Sequence, residues 1–307
     1  MKRSIANRGV ALITAMLITA LASIVAANLA WDNTLDVRRT MNFLNQEQAV
    51  QVALGAESWA SIILRQDLSD SETDHLGESW AIALPSLLIE GGDVTGSIED
   101  LQGRFNVNNL IDESGQVVTR TLQHFQRLLI ALNLDPRFAS IAADWIDDNI
   151  EPIFPDGAED MTYTGIIPPY RSANQSLTSA SELAALEGMD RQSFNVLRPH
   201  ITALPGRTHI NVNTATEAVL QSLDENISAI DVERLLAERE NVGFEYMQNT
   251  FSSLVTPDVL NTLDESSNYF RLKVVVRIDT VRVTLYSVLQ RGPKGNIAPI
   301  LRSFGTT

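Results

Sequence analysis

Residues 8–31 read Arg8-Gly9-Val10-Ala-Leu-Ile-Thr-Ala-Met-Leu-Ile-Thr-Ala-Leu-Ala-Ser-Ile-Val-Ala-Ala-Asn-Leu-Ala-Trp31. The 22 positions from Val10 to Trp31 carry no charge. As a helix rising about 1.5 Å per residue they would reach roughly 33 Å, enough to cross the hydrocarbon core of a bilayer. Basic residues precede the stretch and Asp32 follows it. The positive-inside rule therefore predicts a cytoplasmic N-terminus, with the rest of the chain across the membrane.

A secretory signal peptide has a similar start, but three features of this sequence argue against one. The apolar run is longer than an ordinary signal core, and no clear small-x-small cleavage site is followed by a polar mature start. The helical pattern also continues past Asp32, interrupted on the same face only by Gln48 and Gly55. Its apolar positions are Val37, Met41, Leu44, Val52, Trp59 and Ile62. The pattern predicts one helix from Val10 to about Arg65, half in lipid and half as the spine of a soluble domain.

A short basic leader ending in Gly9, followed by a charge-free helix that becomes amphipathic, resembles the type IV pilin and pseudopilin class. The resemblance implies that a prepilin peptidase cuts between Gly9 and Val10 on the cytoplasmic side and methylates the new amine of Val10. Most members have Glu at the fifth mature position, where this chain has Thr14. A carboxylate in lipid is tolerated there because it meets the terminal amine of a neighbouring subunit. A subunit with Thr14 needs no such pair, as would suit the one protomer with nothing ahead of it.

The composition sets outer bounds on the function. A chain of 307 residues has room for one membrane anchor and one or two globular domains. Its formal charge of −15 argues against a nucleic-acid binder, which would need a basic patch for the phosphates. Because the sequence has no cysteine, it can form no disulfide, thiolate metal site or cysteine nucleophile.

Beyond the first helix the pattern predicts an α+β fold. Two short strands, 87–89 and 94–98, flank a glycine-rich turn, and alternating residues from 270 to 289 predict a second hairpin. A helical pattern fills the region between them, from Thr119 onward. Its predicted helix starts are Asp135-Pro136, the capping boxes Ser179-Ala-Ser-Glu182 and Thr214-Ala-Thr-Glu217, and Thr256-Pro257. We expect one antiparallel sheet packed on the long helix, with the helical block inserted between its strands.

This order of elements is similar to the K-type minor pseudopilins of the type II secretion system. The matching stretches are Gly103-Arg-Phe-Asn-Val-Asn-Asn-Leu110, Ala143-Asp-Trp-Ile-Asp147, Gly157-Ala-Glu-Asp160, Pro169-Tyr-Arg-Ser-Ala-Asn174, Ser181-Glu-Leu183 and Ile210-Asn-Val-Asn-Thr-Ala215. The absent glutamate at position 14 is itself a mark of that type. The expected divisions are a leader (1–9), the transmembrane half of the helix (10–31), a pilin-like domain (32–110), a SAM-like or helix-hairpin-helix-like helical insertion (111–266) and the C-terminal strands (267–307).

An acidic segment follows the predicted helix of Ile141, Trp145 and Ile146, and from residue 138 to 170 the sequence has no Lys, Arg or His. Asp144, Asp147, Asp148 and Glu151 are expected on one helical face, where like charges repel. All-oxygen ligands suit a hard cation such as Ca²⁺, and Gly157 would let the next loop fold back onto the helix. The spacing is not that of an EF-hand, and a solvated acidic face is the alternative. The resemblance, whose members hold calcium in this domain, favours Ca²⁺, with Asp147, Glu159 and Asp160 as foremost ligands and Asp144 and Asp148 as further ones.

Residues 210–220 also resemble the helix-hairpin-helix modules of DNA-uptake proteins. Those modules present backbone amides to phosphate from a Gly-x-Gly turn, whereas the turn here, 224–230, has no glycine and two acids. Enzyme motifs are also missing: the four histidines (His75, His124, His200 and His209) are scattered, and no nucleophile elbow, P-loop or His-Glu-x-x-His occurs. The asparagines Asn106, Asn108, Asn109, Asn211 and Asn213 are expected to satisfy loop backbone groups.

The sequence thus predicts a non-enzymatic minor pseudopilin, a single-pass protein of the bacterial inner membrane with its bulk in the periplasm. The resemblance implies a place at the pseudopilus tip, in complex with the H-, I- and J-type minor pseudopilins, where it supports export of folded proteins. Prepilin peptidase would process it, and exported substrates and the outer-membrane secretin are further candidate contacts. Two alternatives remain, a membrane-anchored DNA-uptake receptor and a minor pilin of a surface type IV system.

Overall fold

The computed structural model describes residues 6–240, 242–292 and 295–305. The helices are α1 (Ala6–Asp70), α2 (Thr119–Ala131), α3 (Phe138–Ile146), α4 (Asp160–Tyr163), α5 (Arg191–Leu197), α6 (Glu217–Ser222), α7 (Ala229–Arg239), α8 (Met247–Phe251) and α9 (Pro257–Leu260). The strands are β1 (Leu84–Ile89), β2 (Gly92–Asp100), β3 (Phe105–Asn106), β4 (Ile201–Thr202), β5 (Ile210–Asn211), β6 (Leu263–Asp264), β7 (Tyr269–Ile278), β8 (Val281–Arg291) and β9 (Ile297–Phe304). Short 3₁₀ segments lie at Ser79–Ala81, Val107–Leu110, Ala180–Ala185 and Arg198–His200.

Helix α1 is a single uninterrupted element of 65 residues, as the periodicity predicts, and it ends five residues later than expected, at Asp70. Within the part of the chain that the structure describes, it is the one helix long and apolar enough to cross a membrane. Its first half touches no other part of the protein, so Leu17, Leu21 and Leu29 are exposed. That half can be stabilised only by surroundings outside this chain.

The second half of α1 lies on a five-stranded antiparallel sheet of order β1-β2-β7-β8-β9. The helix presents Ala49, Ala53 and Ala60 to the sheet, and these small side chains let the helix approach closely. Inward-facing residues of the strands, including Phe270 and Leu285, complete this core. The predicted sheet, built from strands before and after the helical block, is confirmed.

The helical block has its own larger core, formed by α2, α3, α6 and the segments around them. Two short parallel pairings, β3 with β4 and β5 with β6, also hold it together. Phe105, Val107 and Leu110 pack in this core and not under the sheet. The change from the sheet domain to the helical block therefore lies nearer residue 100 than the expected boundary at 110.

Three local expectations differ from the structure. The capping box expected at Thr214 does not form: Thr216 caps α6 by accepting the backbone N–H of Val219, and the Thr214 hydroxyl is bonded to Asp100 instead. At the start of α3, Asp135 accepts the backbone N–H of Arg137 at 3.0 Å in a turn ahead of the helix and does not cap it. Helix α3 ends at Ile146, so Asp148 and Glu151 are not on a helical face with Asp144. The other capping box, Ser179 with Glu182, forms as predicted.

Candidate metal centre

The acidic segment begins inside α3, where two of its carboxylates are fully buried. Every residue of α3 is buried because the helix lies in the middle of the helical block. Asp144 and Asp147 are both 0% exposed, although neither makes an ion pair with a basic residue in the described chain. Asp147 follows the helix end in extended conformation, and its carboxylate accepts the backbone N–H and the Nδ2 of Asn149, at 3.3 and 2.7 Å. Two buried carboxylates without a counter-cation are unstable unless other groups compensate them.

The following loop folds back over Asp144. Both of its carboxylate oxygens accept the backbone N–H of Ile153, at 3.2 and 3.1 Å. A Cβ at Gly157 would collide with the Asp144 carboxylate and with the backbone of Ile153, so the loop can close only because residue 157 is glycine. The expectation that Gly157 permits this return is confirmed.

Glu159 and Asn174 contribute the remaining buried oxygens. Glu159 accepts the hydroxyl of Ser172 with Oε2 at 2.9 Å, while its Oε1 is buried without a hydrogen-bond partner among the described residues. Asn174 donates its Nδ2 to the carbonyl of Asn149 at 2.7 Å, and its Oδ1 is likewise buried and unpartnered within the described chain. An unsatisfied buried oxygen loses its hydration without compensation, and each such group in a native fold requires a partner.

The electrostatics of these groups agree with their burial. The pKa of Asp144 is raised to about 7, by burial first and then by the nearby charges of Asp147 and Glu159, against the opposing hydrogen bond from Ile153. The pKa of Asp147 rises to about 6, again through burial first and then through Glu159. Burial also raises the pKa of Glu159. The three carboxylates therefore repel one another, and a bound cation would relieve that repulsion.

The structure separates the predicted ligands into two groups. Asp144, Asp147 and Glu159 interact electrostatically with one another. Asp160 shares Ser172 with Glu159 but also contacts a basic residue: its Oδ1 accepts the backbone N–H and hydroxyl of Ser172, and its Oδ2 lies 3.5 Å from Arg171. Asp148 is exposed and lies beside Gly115.

The first group suits a hard divalent cation. Every candidate donor is an oxygen, two buried oxygens have no protein partner among the described residues, and no basic side chain there neutralises the acids. Asn174 was not among the predicted ligands. A signal for it exists in the sequence, because it ends the stretch Pro169-Tyr-Arg-Ser-Ala-Asn174.

A second acidic cluster, missed by sequence reasoning, lies at the C-terminal end of α1. Carboxylate oxygens of Asp67, Asp74 and Glu78 come within 4.8 Å of one another. This cluster already contains a cation, because Arg291 of β8 donates to Asp74 at 2.9 and 3.0 Å and approaches Asp67 at 3.4 Å. Arg291 also lies over the ring of Phe270 at 4.9 Å. The cluster therefore ties the end of α1 to the sheet and is a structural ion-pair network.

The asparagine-rich stretches join parts of the chain that are distant in sequence. Asn106 accepts the backbone N–H of Leu204 at 3.0 Å and donates to the carbonyl of Gly206 at 3.0 Å. Asn211 donates to the carbonyl of Asp74 and to the Ser267 hydroxyl, at 3.0 and 2.9 Å. The expectation that these asparagines satisfy loop backbone groups is confirmed.

The α6–α7 hairpin does not present free backbone amides to a phosphate. Its turn is fixed by Asp224, which accepts the backbone N–H of Thr256 at 3.1 Å and that of Asn226 at 3.2 Å. An acidic side chain thus occupies the place where a phosphate binder would offer donors, which disfavours DNA binding.

The predicted processing residues lie near the exposed start of α1. Gly9 has open space around it and Val10 is exposed, whereas leader residues 1–5 lie outside the described residues. The Thr14 hydroxyl donates to the carbonyl of Ala11 at 3.0 Å, so its polar group is satisfied within the helix.

Comparisons with known proteins agree with this architecture. The family described as "Type II secretion system (T2SS), protein K" matches residues 103–206 and 210–264. Type II secretion system protein K of Pseudomonas aeruginosa is 35% identical over 97% of this chain and 93% of its own length. The Aeromonas hydrophila protein of the same name is 30% identical over 97% of both chains.

A solved structure shares the fold. A chain in the crystal structure of the GspK-GspI-GspJ complex from enterotoxigenic Escherichia coli aligns with a TM-score of 0.70 at 24% identity, covering 88% of this chain and 100% of that one. With two relatives at 30% identity or more along nearly the whole length, the chain belongs to the type II secretion system protein K family, the K-type minor pseudopilins.

Proposed function

We propose that this chain is a non-enzymatic tip subunit of the type II secretion pseudopilus, which initiates filament assembly and supports export of folded proteins. The proposal rests on two features that occur together in this chain. The apolar first half of α1 has no partner among the described residues, and a large helical block lies between two strands of the sheet domain. The half-helix supplies a joint to other subunits. The block is wider than a compact pilin head and would clash with a subunit stacked above it.

The partners we propose are other minor pseudopilins. In the similar solved structure, the K protein is in complex with I and J proteins. We extend this to the present chain and add the H type, with packing between the N-terminal helices as the main contact. The exposed positions Val37, Met41 and Leu44 of α1 would be covered in that packing.

The position at the tip is tested by locating the chain in assembled filaments. Filaments formed in the producing cell would be labelled with antibody against the helical block. We expect label at one end of each filament, and purification of the full-length chain should bring the I- and J-type proteins with it. Label spaced along the filament length would refute the tip position and leave the family membership intact.

We also propose single-pass insertion in the inner membrane, with later removal of residues 1–9. The supporting features are the basic start, Gly9 and the exposed charge-free half of α1. Mass spectrometry of the mature protein should find an N-terminus at Val10 carrying one added methyl group. A chain that still begins at Met1 while export runs normally would contradict this processing.

A structural Ca²⁺ is the cofactor we propose, held by Asp144, Asp147 and Glu159, with the carbonyl oxygen of Asn174 as a further ligand. When bound, the ion would offset two of the three carboxylate charges and pin the 147–174 loop to α3. The two buried unpartnered oxygens, one on Glu159 and one on Asn174, are the main support. Asp160 is outside this set because Arg171 already engages it.

The calcium proposal is tested by thermal melting of the full-length chain in detergent. Saturation at 100 times Kd adds about 2.7 kcal/mol of stability, so Ca²⁺ should raise Tm by several degrees after chelator treatment, and Mg²⁺ by less. Glu159→Gln should abolish most of the shift. The matched exposed variant Glu151→Gln, and also Asp160→Asn, should retain it. An equal shift with Mg²⁺, or a full shift in Glu159→Gln, would refute this ligand set.

A further inference from the structure

Four large apolar side chains of the 147–174 loop face solvent. They are Ile150, Phe154, Met161 and Ile167, which are 72%, 92%, 89% and 94% exposed. Elsewhere in the described part of the helical block, the most exposed large apolar side chain is that of Ile230, at 78%. Single apolar residues are ordinary on a protein surface, whereas several highly exposed ones within one loop indicate a contact surface.

The turn that carries Phe154 is fixed at its base on α3. Gly157 donates its backbone N–H to the carbonyl of Ile153 at 2.6 Å, which closes a turn with Phe154 inside it. Ile153 donates its own N–H to the buried carboxylate of Asp144. The Phe154 ring is therefore held in solvent by a fixed backbone, and not by a loop that is free to fold it away.

A second turn, which carries Ile167, is fixed at the same end of α3. Ile166 and Tyr170 both donate backbone N–H groups to the carbonyl of Tyr163, at 3.3 and 3.4 Å. Tyr163 is 0% exposed and packs edge-on against Trp145 of α3, with 5.0 Å between the ring centroids. Because both turns are ordered before any contact forms, docking on them costs little conformational entropy.

The charge beside these turns is negative. Glu151 and Asp156 lie on either side of Phe154 in the sequence, and neither forms an ion pair with a basic side chain in the described chain. Arg171 is the one basic residue of the 147–174 loop, and it lies 3.5 Å from a carboxylate of the same loop. The loop therefore presents apolar tips among acids that have no counter-charge.

This charge distribution distinguishes the kinds of surface that can cover the loop. Segments that bind a membrane surface combine apolar side chains with Lys or Arg, because the lipid head groups attract cations. A second copy of this chain would bring the same acids against these ones, and like charges at an interface repel. An apolar patch bordered by Lys or Arg on another protein is complementary to both the tips and the acids.

From the fixed turns, the exposed tips and the neighbouring acids, we infer that the 147–174 loop docks on an apolar patch of a second protein, bordered by Lys or Arg. Phe154 and Ile167 are buried in the patch, and Glu151 and Asp156 meet its basic border. Burial of the tips supplies affinity, and the charges select the partner. The docking depends neither on bound calcium nor on the position of the chain in the filament, because the contacts that fix both turns lie within this chain.

The test is photo-crosslinking of the full-length chain in the producing cell. Benzoylphenylalanine replaces Phe154 in one variant and Ile167 in a second, and it replaces the exposed Ile230 of α7 in the matched control. We expect one discrete protein adduct at both tip positions, in a yield about tenfold above that at position 230. Mass spectrometry of the adduct should place the partner's crosslinked residue in an apolar patch with Lys or Arg at its border.

Reversal of one charge beside Phe154 should weaken the docking. In the variant with the probe at this position, Asp156→Lys, and separately Glu151→Lys, should lower the adduct yield about tenfold, because each sets a cation against the basic border. Glu233→Lys is the matched control, since Glu233 is an exposed acid of α7, and it should change the yield by less than about twofold.

The absence of an adduct at either tip position, or an equal yield at position 230, would overturn the inference. So would a partner site without Lys or Arg at its border, or a yield that both charge reversals leave unchanged. Adducts formed only with phospholipid would show that the tips meet a membrane, and adducts formed only between two copies of this chain would show self-association. Either of these results also refutes the docking.

Discussion

At the scale of single residues, buried polar side chains join segments that are distant in sequence. Asn106 and Asn211 are both 0% exposed and bond to backbone and side chains about 50 to 140 positions away in sequence. Forming such a bond adds little to the stability of the fold, because it replaces a hydrogen bond to water. Removing one side chain of the bond costs more, because the partner that is left without a bond remains buried. The sequence could predict that these asparagines bond to backbone groups, since asparagine carries both a donor and an acceptor. It could not predict which groups, because the partners lie in other segments of the chain.

Asn106→Ala should lower the free energy of unfolding by about 2–6 kcal/mol. The substitution leaves the buried N–H groups of Leu204 and Asn108 without their acceptor, at about 1–3 kcal/mol each. Urea unfolding of the full-length chain measures the loss. Asn226→Ala is the control, since Asn226 is exposed and its Nδ2 bonds only to Asp224 in the described chain. Equal losses in the two variants would show that Asn106 has no special role.

Arg291→Met should be among the most destabilising single substitutions, at about 3–5 kcal/mol. Arg291 is the cation among Asp67, Asp74 and Glu78, and its removal leaves buried carboxylates uncompensated. The matched control is Arg282→Met on the same strand, where the arginine is exposed and the change should stay within about 0.5 kcal/mol. Thermal and urea unfolding near pH 8 give the comparison. A loss below about 1 kcal/mol in Arg291→Met would contradict the network.

Asp67 should make stability depend on pH in a defined direction. Burial, and then the charges of Glu78 and Asp74, raise its pKa to about 7 from an ordinary 3.8. A carboxyl whose pKa is raised on folding contributes stability that is full below the unfolded pKa and is lost as pH rises through the folded one. Relative to Asp67→Asn, the parent should therefore lose free energy of unfolding between about pH 4 and pH 7. If the parent instead became more stable relative to Asp67→Asn over that range, the pKa of Asp67 would not be raised on folding.

At the scale of elements, prediction from sequence succeeded where one periodicity ran long enough. Helix α1 and the two hairpins of the sheet followed from spacing alone. The two-residue strands β3 to β6 could not be predicted, because each exists only through a partner distant in sequence. The early end of α3 was missed for a related reason: the loop that covers Asp144 is a tertiary contact, and helical spacing contains no information about it.

Substitutions at two neighbouring positions of α1 should change the free energy of unfolding in opposite directions. Ala53 is fully buried against the sheet, so Ala53→Leu overpacks the contact and should lower stability by about 1–3 kcal/mol. Gly55 faces open space within the helix, so Gly55→Ala should raise stability by about 0.5–1 kcal/mol. Urea unfolding of the unassembled chain tests both. If Ala53→Leu were neutral, α1 would not be seated on the sheet as described.

At the scale of the whole molecule, the candidate metal centre was only partly predictable. Asp144, Asp147 and Glu159 stand out in sequence because no basic residue accompanies them from 138 to 170. Asn174 does not stand out in this way, because a neutral amide adds nothing to the charge pattern. Its place beside the acids depends on a loop that returns to the end of α3. Asp160 looks equivalent to Glu159 in the sequence, and only the contact of Asp160 with Arg171 distinguishes them.

The position of the chain in a filament can be tested at a single residue, Thr14. Within a filament, a glutamate at this position could pair with the terminal amine of the subunit ahead, whereas a first subunit has none ahead of it. Thr14→Glu should therefore place an unpaired carboxylate in lipid, with a penalty of up to about 2.5–3.5 kcal/mol, and reduce export. Thr14→Val should leave export unchanged, because the hydroxyl bonds only within its own helix among the described residues. Export by Thr14→Glu equal to or better than the parent would mean that another subunit precedes this chain, and that it lies within the filament.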